Sequence, residues 1–431
     1  MGMARRLLLA VIGVWFSLSA QNSAAASFSG QLKSSTDVYP HDYGPPTETV
    51  SPYLSLDLNG KHKLSKRLRW QARALILTNT LAKSAPEKLY GDLPEAFMEY
   101  KSSGIKLRGG MDTVNWGLVD ISSPADTVNP TFMFHPLRTL RRGAPMLEAL
   151  WDNDNISLHA IYIPRQQRPL LPSSDSRWLP RDLLLNLQYL GNRILLPQTI
   201  EYTLNSPKTL DHALDHNAGL KLMGHFGRLD LQATHFEGAA PSPRIAPTFK
   251  GTWGQTIQAE SPVGLAPVAY RVRTSGIGAA WAAESFILRL ETAYQHTISK
   301  SPLLSPWMWS NVLALETKFD IGSTSANWLL QFYYTKNPQA ADNFVTSSYR
   351  LFDQTVVTGA RWSISDNVNV MLSALYEAKS RGLFAMAGFE QKLNDALKWS
   401  LAWRDFSAAK DGLLKTFAGN DHACLELIYY F

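Results

Sequence analysis

Apolar and polar side chains alternate with a period of two through most of the chain. Trp328, Leu330, Phe332 and Tyr334 alternate with Asn327, Leu329, Gln331, Tyr333 and Thr335. Phe286, Leu288, Leu290 and Tyr294 alternate with Ile287, Arg289, Glu291 and Gln295, and Val368, Val370, Leu372, Ala374 and Tyr376 with Asn369, Met371, Ser373, Leu375 and Glu377. The same rhythm holds at Leu397–Arg404 and at Arg67–Ile76. Successive side chains of a strand point to opposite faces, so each of these segments predicts a strand with one apolar and one polar face. Aromatic residues stand near several strand ends (Tyr294, Tyr334, Tyr376, Trp403, Tyr429).

Short turns with Asn, Asp and Gly punctuate the pattern at Asp152-Asn153-Asp154-Asn155, His225-Phe226-Gly227, Asp366-Asn367 and Asn394-Asp395. Longer polar or Pro-rich segments lie between them, near 38–50, 80–93, 118–144, 164–212, 238–266, 297–306, 337–353 and 407–420. Short turns at one end and long loops at the other are the layout of an all-β, antiparallel, up-and-down transmembrane barrel. The strand candidates number up to about twenty; without the doubtful pair at 183–204 they are about eighteen, with about sixteen as the fallback, even counts as such barrels require.

Composition sharpens this picture. The chain has 431 residues, 45% hydrophobic and only 18% charged, with 13 Trp, 16 Tyr and 18 Phe, which excludes disorder. Its mean hydropathy is −0.15, and after the N-terminus no apolar run reaches the ~18 residues of a membrane helix. One Cys excludes an internal disulfide and a multi-Cys zinc site. Arg5 and Arg6 followed by apolar Leu7 to Ala20 and Ala24-Ala25-Ala26 predict a signal peptide over 1–26, leaving 27–431 as the barrel domain. Its removal takes two cations from a formal balance of +6, so the mature excess is modest. A basic excess this small, in an exported chain, does not suggest a nucleic-acid partner.

The chain ends Leu425-Glu426-Leu427-Ile428-Tyr429-Tyr430-Phe431. Leu425, Leu427, Tyr429 and Phe431 share one parity, suited to lipid. This ending resembles the C-terminal signature of Gram-negative outer-membrane barrels, which implies recognition by the barrel-assembly machinery. The predicted fifth strand, Ile105 to Trp116, is followed by Trp116-Gly117…Asp120…Asp126…Asn129-Pro130, then Arg138, Arg141 and Arg142. Together with Ile163-Pro164…Trp178-Leu179-Pro180 and the hairpin Ala218–Leu222…Leu229–Ala233, this stretch resembles porin-like outer-membrane families, including those akin to alginate-export barrels. The resemblance implies a barrel whose 118–144 loop folds inward and narrows the pore.

A wide barrel encloses water, and charged groups at its constriction set selectivity. Asp120, Asp126, Arg138, Arg141 and Arg142 are the candidate constriction residues. Arg69, Arg73, Arg108, Arg271, Arg273, Arg289 and Arg361 have the parity expected of the lumen, with Asp112, Glu291, Glu316, Glu377, Glu390 and Glu426 as acidic counterparts. The reading is a channel in the bacterial outer membrane for small polar solutes, with a weak preference for anions. Equally, the loop arginines pair with Asp120 and Asp126 and simply hold the loop. Three alternatives stay open. One is export of a polyanionic polymer. Another is uptake of a hydrophobic solute through an apolar pocket at Leu170, Leu171, Trp178 and Leu179. The third is a non-transport barrel, a lipid-modifying enzyme or a surface adhesin. No Ser/His/acid motif stands on matching strands: Ser157 and His159 only share a face. Asp211-His212…Asp215-His216 has metal-like spacing but reads as a solvated loop. No cofactor or metal is expected, lipid is the surrounding partner, and a homotrimer is left open.

Overall fold

In a computed structural model, the structure describes residues 26–42, 47–179, 187–189, 192–195, 200–252, 256–301, 304–337, 353–409 and 413–431. The segment 1–26 expected to be a signal peptide lies almost wholly outside them, as do parts of 183–204 and 337–353. Eighteen strands form one antiparallel sheet. In chain order they are β1 (Ala26–Val38), β2 (Val50–Lys63), β3 (Leu68–Asn79), β4 (Tyr90–Ser102), β5 (Ile105–Asp112), β6 (Ala144–Asp152), β7 (Ile156–Arg165), β8 (Asp215–Phe226) and β9 (Leu229–Ala239). Then come β10 (Arg271–Ala282), β11 (Phe286–Thr297), β12 (Trp307–Ile321), β13 (Thr324–Lys336), β14 (Gln354–Ser365), β15 (Val368–Glu377), β16 (Gly382–Lys392), β17 (Leu397–Ala408) and β18 (His422–Tyr430).

Each strand pairs with its sequence neighbours, across the longer crossings as well as the short turns. β18 returns to β1 with Leu425 opposite Thr36 and Tyr429 opposite Leu32. Phe431 extends that seam through Gly30 N to Phe431 O at 2.8 Å and Phe431 N to Gly30 O at 3.0 Å. The sheet is therefore closed, and no strand edge is left unpaired, as hydrocarbon demands. Among the described residues no helix is long and apolar enough to cross a membrane; α1 is a single short turn, Leu413–Phe417.

The alternation read from the sequence is the inside–outside division of the barrel. Leu290, Phe332, Leu372, Leu401 and Leu425 are all exposed on the outer face, while Glu291, Tyr333 and Cys424 beside them are buried inside. An exposed apolar belt of this extent fits hydrocarbon, not water. Tyr162, Tyr294, Tyr334 and Tyr376 rim the belt toward the long loops, and Trp151, Trp281, Trp362 and Tyr429 toward the short turns. The expected short turns at 152–155, 225–227, 366–367 and 394–395 all join neighbouring strands at one end.

Two expectations need correction. β5 stops at Asp112 rather than Trp116. Its carboxylate accepts the Thr113 N–H at 2.7 Å and Asn129 Oδ1 accepts the Val114 N–H at 2.7 Å, so the chain leaves the sheet four residues early. Gly110 makes the kink possible: its φ is 141°, and a Cβ there would strike the backbone of Ala96 and Phe97. The second correction is 238–266, expected as loop. Arg244–Thr252 and Thr256–Ala269 form a hairpin in a separate six-stranded sheet with short strands from 187–209. Ile245, Ile257, Val263 and Leu265 of this sheet bury against Leu171, Leu179, Ile200 and Tyr202. The described parts of the doubtful pair at 183–204 belong to this outer sheet and not to the barrel.

The outer face supplies a direct test. Leu372 lies at the middle of β15, 56% exposed. Replacing it with Arg is expected to cost about 2–4 kcal/mol in urea unfolding from lipid vesicles, as for a cation near the bilayer midplane. Ser373→Arg, on the opposite face of the same strand, is expected to cost much less.

Candidate functional site

The connection between β5 and β6, residues 113–143, touches the inner wall nearly all the way round. Trp116 is buried against β7 and β8: its Nε1 donates to His159 Nδ1 at 3.2 Å, and its ring fills the space a Cβ would need at Gly219. Farther on, Glu291 of β11 accepts the N–H groups of Leu118 and Ala125, both at 2.8 Å, and the Ser123 hydroxyl. Tyr333 of β13 accepts the Ser122 N–H. The chain then turns through the two-residue pairing of Thr131–Phe132 with Leu140–Arg141. It reaches β1 and β18 at Arg138, whose guanidinium donates to Ser35 Oγ at 3.0 Å and Asp37 Oδ1 at 2.9 Å and contacts Cys424 Sγ and Glu426. β1 and β11 stand on nearly opposite sides of an eighteen-strand ring. The segment therefore crosses the lumen.

The inner wall is divided by height. Toward the long loops it carries large apolar side chains beside a few buried polar ones such as Asp37, Thr355 and Glu377. Val312, Ala314, Tyr333, Val357, Leu375, Phe384 and Phe406 pack on Val119, Trp178, Leu414 and Phe417 from the loops. Tyr53, Leu75, Leu77 and Tyr90 pack on Phe132 and Phe134. Toward the short turns the wall is charged and ion-paired: Arg73 with Asp57 at 2.6 Å, Arg69 and Arg108 both with Glu99 at 2.7 Å, Arg289 with Glu316 at 2.8 Å and Arg361 with Glu390 at 3.0 Å.

Residues 166–179, the start of the connection after β7, pack over these groups at the long-loop end. Arg177 donates to Asn420 Oδ1, Glu48 O and His41 O at 2.7–3.0 Å and lies over the Tyr39 ring at 3.7 Å. Trp178 stacks among Tyr39, His135, Phe406, Phe417 and His422. Leu171 and Leu179 are equally buried, so these side chains fill space instead of lining an open pocket. Ser173 and Glu87 exchange hydrogen bonds, each backbone N–H donating to the other's side-chain oxygen at 2.9 and 3.1 Å, and the Tyr53 hydroxyl donates to Glu87.

The expected constriction set separates into anchors and open groups. Arg138 is an anchor to the wall. Arg141 pairs with Asp126 within the segment while keeping 42% of its side chain exposed. Arg142 donates to Arg168 O and faces Asp92. Asp120 is exposed and takes no part in those pairings. Five of the seven expected lumen arginines (Arg69, Arg73, Arg108, Arg289 and Arg361) do face inward. Arg271 and Arg273 do not. They share the outward parity of Ser275 and Ile277, whose side chain is 62% exposed, and both bind Glu237 beside them. At the rim of the belt a charged pair tolerates the outer face, so parity counted from the strand pattern alone placed them wrongly.

Sequence reasoning missed one buried cluster, which the fold assembles from β1, β18 and the crossing segment. Asp37, His135 and His422 bring their side-chain ligand atoms within 4.8 Å of one another. Among the described residues, Asp37 Oδ2 and His135 Nε2 have no hydrogen-bond partner. The chemistry nevertheless speaks against a metal ion. His135 Nδ1 accepts the Leu137 N–H at 3.0 Å, so the neutral ring carries its proton on Nε2, facing Asp37 at 3.9 Å. Arg138 and Arg404 already bring two cations to Asp37. Burial, then those same guanidiniums, hold the His135 imidazole well below its ordinary pKa. His159 is likewise committed, to Trp116 through Nδ1 and to Glu148 at 3.0 Å through Nε2, which leaves it no nitrogen for Ser157. His212 is almost fully exposed, and His216 turns away to the Tyr162 hydroxyl at 2.6 Å; they do not converge.

No protein-family model and no curated protein matches the chain. Among solved structures it is similar to a Salmonella typhi OmpF in complex with daunomycin, at 12% identity and a TM-score of 0.46 over 94% of this chain and 97% of that one. It is also similar to a loop-deletion mutant of OmpT, an outer membrane protein of Vibrio cholerae, at 9% identity and a TM-score of 0.45 over 94% and 99%. A mutant Rh. blastica porin matches at 11% identity and a TM-score of 0.44 over 94% and 100%. At such identities and scores nothing about this chain's function rests on them.

Two outcomes follow from the loop anchors. Arg138→Met strands Asp37 beside only the more distant Arg404. It is expected to destabilise docking of 113–143 by about 3–5 kcal/mol, the cost of breaking a buried pair, read as faster proteolysis within that segment in the folded barrel. The Glu87 carboxyl is pushed by burial from an ordinary 4.5 to about 7. An acid with a raised pKa in the docked state favours docking while protonated. Docking of the 170–176 segment over Glu87 is therefore expected to be tightest below pH 4.5 and to weaken as pH rises to about 7, because the burial cost of the ionised carboxyl outweighs its hydrogen bond from Ser173. Glu87→Gln should flatten that dependence in hydrogen exchange of 170–176.

Proposed function

We propose that the protein is an outer-membrane channel for passive diffusion of small polar solutes, weakly favouring anions, exported by a signal peptide over 1–26 and inserted through its C-terminal strand. The observation that carries the reading is the charged lower wall below a crossing segment. A closed barrel of about eighteen strands encloses more space than its own side chains fill. Here loops pack the long-loop half, while inward arginines and carboxylates line the other half around water. The crossing segment 113–143 then narrows the path, and selectivity falls on the groups left exposed: Arg141, Asp120 and the wall arginines. Arg138 and Arg142 act indirectly, by holding the segment in place. Surrounding lipid is the partner of the outer belt. The Leu425, Leu427, Tyr429 and Phe431 face is the surface offered to the assembly machinery. The inner histidines are committed to structural contacts, which supports a non-enzymatic role.

A second reading has one observation in its favour. The apolar upper wall around Val357, Phe384 and Phe406 would suit a hydrophobic solute if Trp178 and its neighbours at 171–179 moved off it.

Planar-bilayer recording of the refolded barrel tests both. Stepwise openings with a reversal potential favouring anions are expected, and a cation-favouring potential overturns the selectivity. Arg138→Ala is expected to raise conductance by loosening the segment, whereas Arg289→Gln with Arg361→Gln should reduce anion preference at unchanged conductance. A non-conducting barrel overturns the channel reading. Solute-dependent quenching of Trp178 would then favour the hydrophobic one.

A further inference from the structure

The short-turn mouth of the barrel holds a cavity of about 370 Å³ between β2, β3, β4 and β5. Its lining is mostly cationic, with Ser65, Leu68 and Glu99 as the exceptions. Two of its cations, Arg69 and Arg108, are held by the buried Glu99 carboxylate at 2.7 Å each. Arg108 is further braced by Asp112 at 3.1 Å and lies 3.9 Å from Glu148. The others are Lys63, Lys66, Arg67, Lys101 and Lys106. None of these five is in an ion pair among the described residues. Glu99 is the only acidic group in the lining, and it is spent on its two arginines.

The cradle is fixed by the backbone. Ser65 Oγ accepts the N–H groups of Arg67 and Leu68 at 3.2 and 3.0 Å, which shapes the turn between β2 and β3. Lys101 N donates to Arg67 O at 2.7 Å, tying that turn to β4. On the inward parity, Lys63, Lys101 and Lys106 come from three strands and converge on this mouth. A cleft lined by one sign of charge focuses its field and concentrates counter-ions. Five free cations spread over a cavity of ligand size exceed what one chloride or one orthophosphate would engage.

We infer that this cavity is a binding site for a small multivalent oxyanion carrying two or more phosphate or carboxylate groups, held at the short-turn mouth by Lys63, Lys66, Arg67, Lys101 and Lys106. The site goes beyond diffusion through the lumen and stands whether or not the barrel conducts. Arg69 and Arg108 form its floor, and Glu99 positions them.

Titration calorimetry of the refolded, detergent-solubilised barrel with tripolyphosphate tests the site without reference to conduction. Saturable binding of one anion per chain is expected, weakening steeply as salt rises from about 0.05 to 0.5 M and at least about tenfold tighter than inorganic phosphate, since each charge-assisted contact adds. Lys101→Gln with Lys106→Gln is expected to weaken it by about tenfold or more. Lys208→Gln with Lys300→Gln, exposed lysines at the opposite, long-loop end, removes the same charge and is expected to leave the affinity within about twofold. Circular dichroism confirms that each variant is a folded barrel. Absence of saturable binding, equal loss in both double variants, or an affinity no greater than that of inorganic phosphate overturns the proposal.

Discussion

Closure of the backbone hydrogen-bond ring is the constraint from which the rest of this molecule follows. Hydrocarbon offers no partner to a free N–H or C=O, so a sheet that crosses it must leave no edge. The seam between β1 and β18 meets that demand, down to the mutual hydrogen bonds of Gly30 and Phe431. Once the ring is closed, every strand has one face outside and one inside, and the outer one must be apolar. The low charged share and the many aromatics are consequences. Half of each strand is committed to lipid, and the rings gather at its borders.

Closure creates a second problem, the space inside. Two solutions operate at different heights. Toward the long loops, inward Val, Leu, Phe and Tyr need cover, and the loops supply it with Val119, Trp178, Phe132, Phe134 and α1. Toward the short turns the inward groups are charged and pair across neighbouring strands. The crossing segment is held at this boundary by polar anchors that the wall presents through otherwise continuous sheet: Glu291 at one side, Asp37 and Glu426 near the other, His159 between. Buried carboxylates are costly unless hydrogen-bonded and paired. Glu291 finds its hydrogen-bond donors on the segment and Asp37 its nearest cation there, so segment docking and wall stability are coupled.

Fold and topology were legible in the sequence because the side-chain period of a strand is strict. A one-residue slip would turn Leu372 or Leu425 inward, so the pattern tolerates no ambiguity in the middle of a strand. At strand ends the period loses authority. Arg271 and Arg273 sit where the belt meets water, and there a charged residue is acceptable on either face. β5 ended early because Asp112 and Asn129 captured backbone donors, a local hydrogen-bond choice with no signature in periodicity. In the hairpin at Arg244–Thr252 and Thr256–Ala269 the first strand alternates as the barrel strands do, while the second is buried on both faces at Val263–Ala266. It was hidden by Pro and Gly residues that read as loop. The Asp37–His135–His422 cluster draws on residues nearly four hundred positions apart and exists only through closure, so no local motif announces it.

The five arginines and aspartates singled out by position show how charge and role separate. A guanidinium in a pore loop reads as a selectivity group when only its sequence is known. Geometry assigns Arg138 and Arg142 to holding the loop, because their hydrogen bonds are directed at the wall and at Arg168. Arg138 is compensated by Asp37 at 2.9 Å, whereas Arg142 is held chiefly through the Arg168 carbonyl. The cations that keep an uncompensated field are those for which the fold provides no carboxylate, and they concentrate at the short-turn mouth, around Lys63, Lys66, Arg67, Lys101 and Lys106. On the proposed reading, anion attraction is therefore strongest where the chain has the least packing to do, and weakest where the loop is pinned.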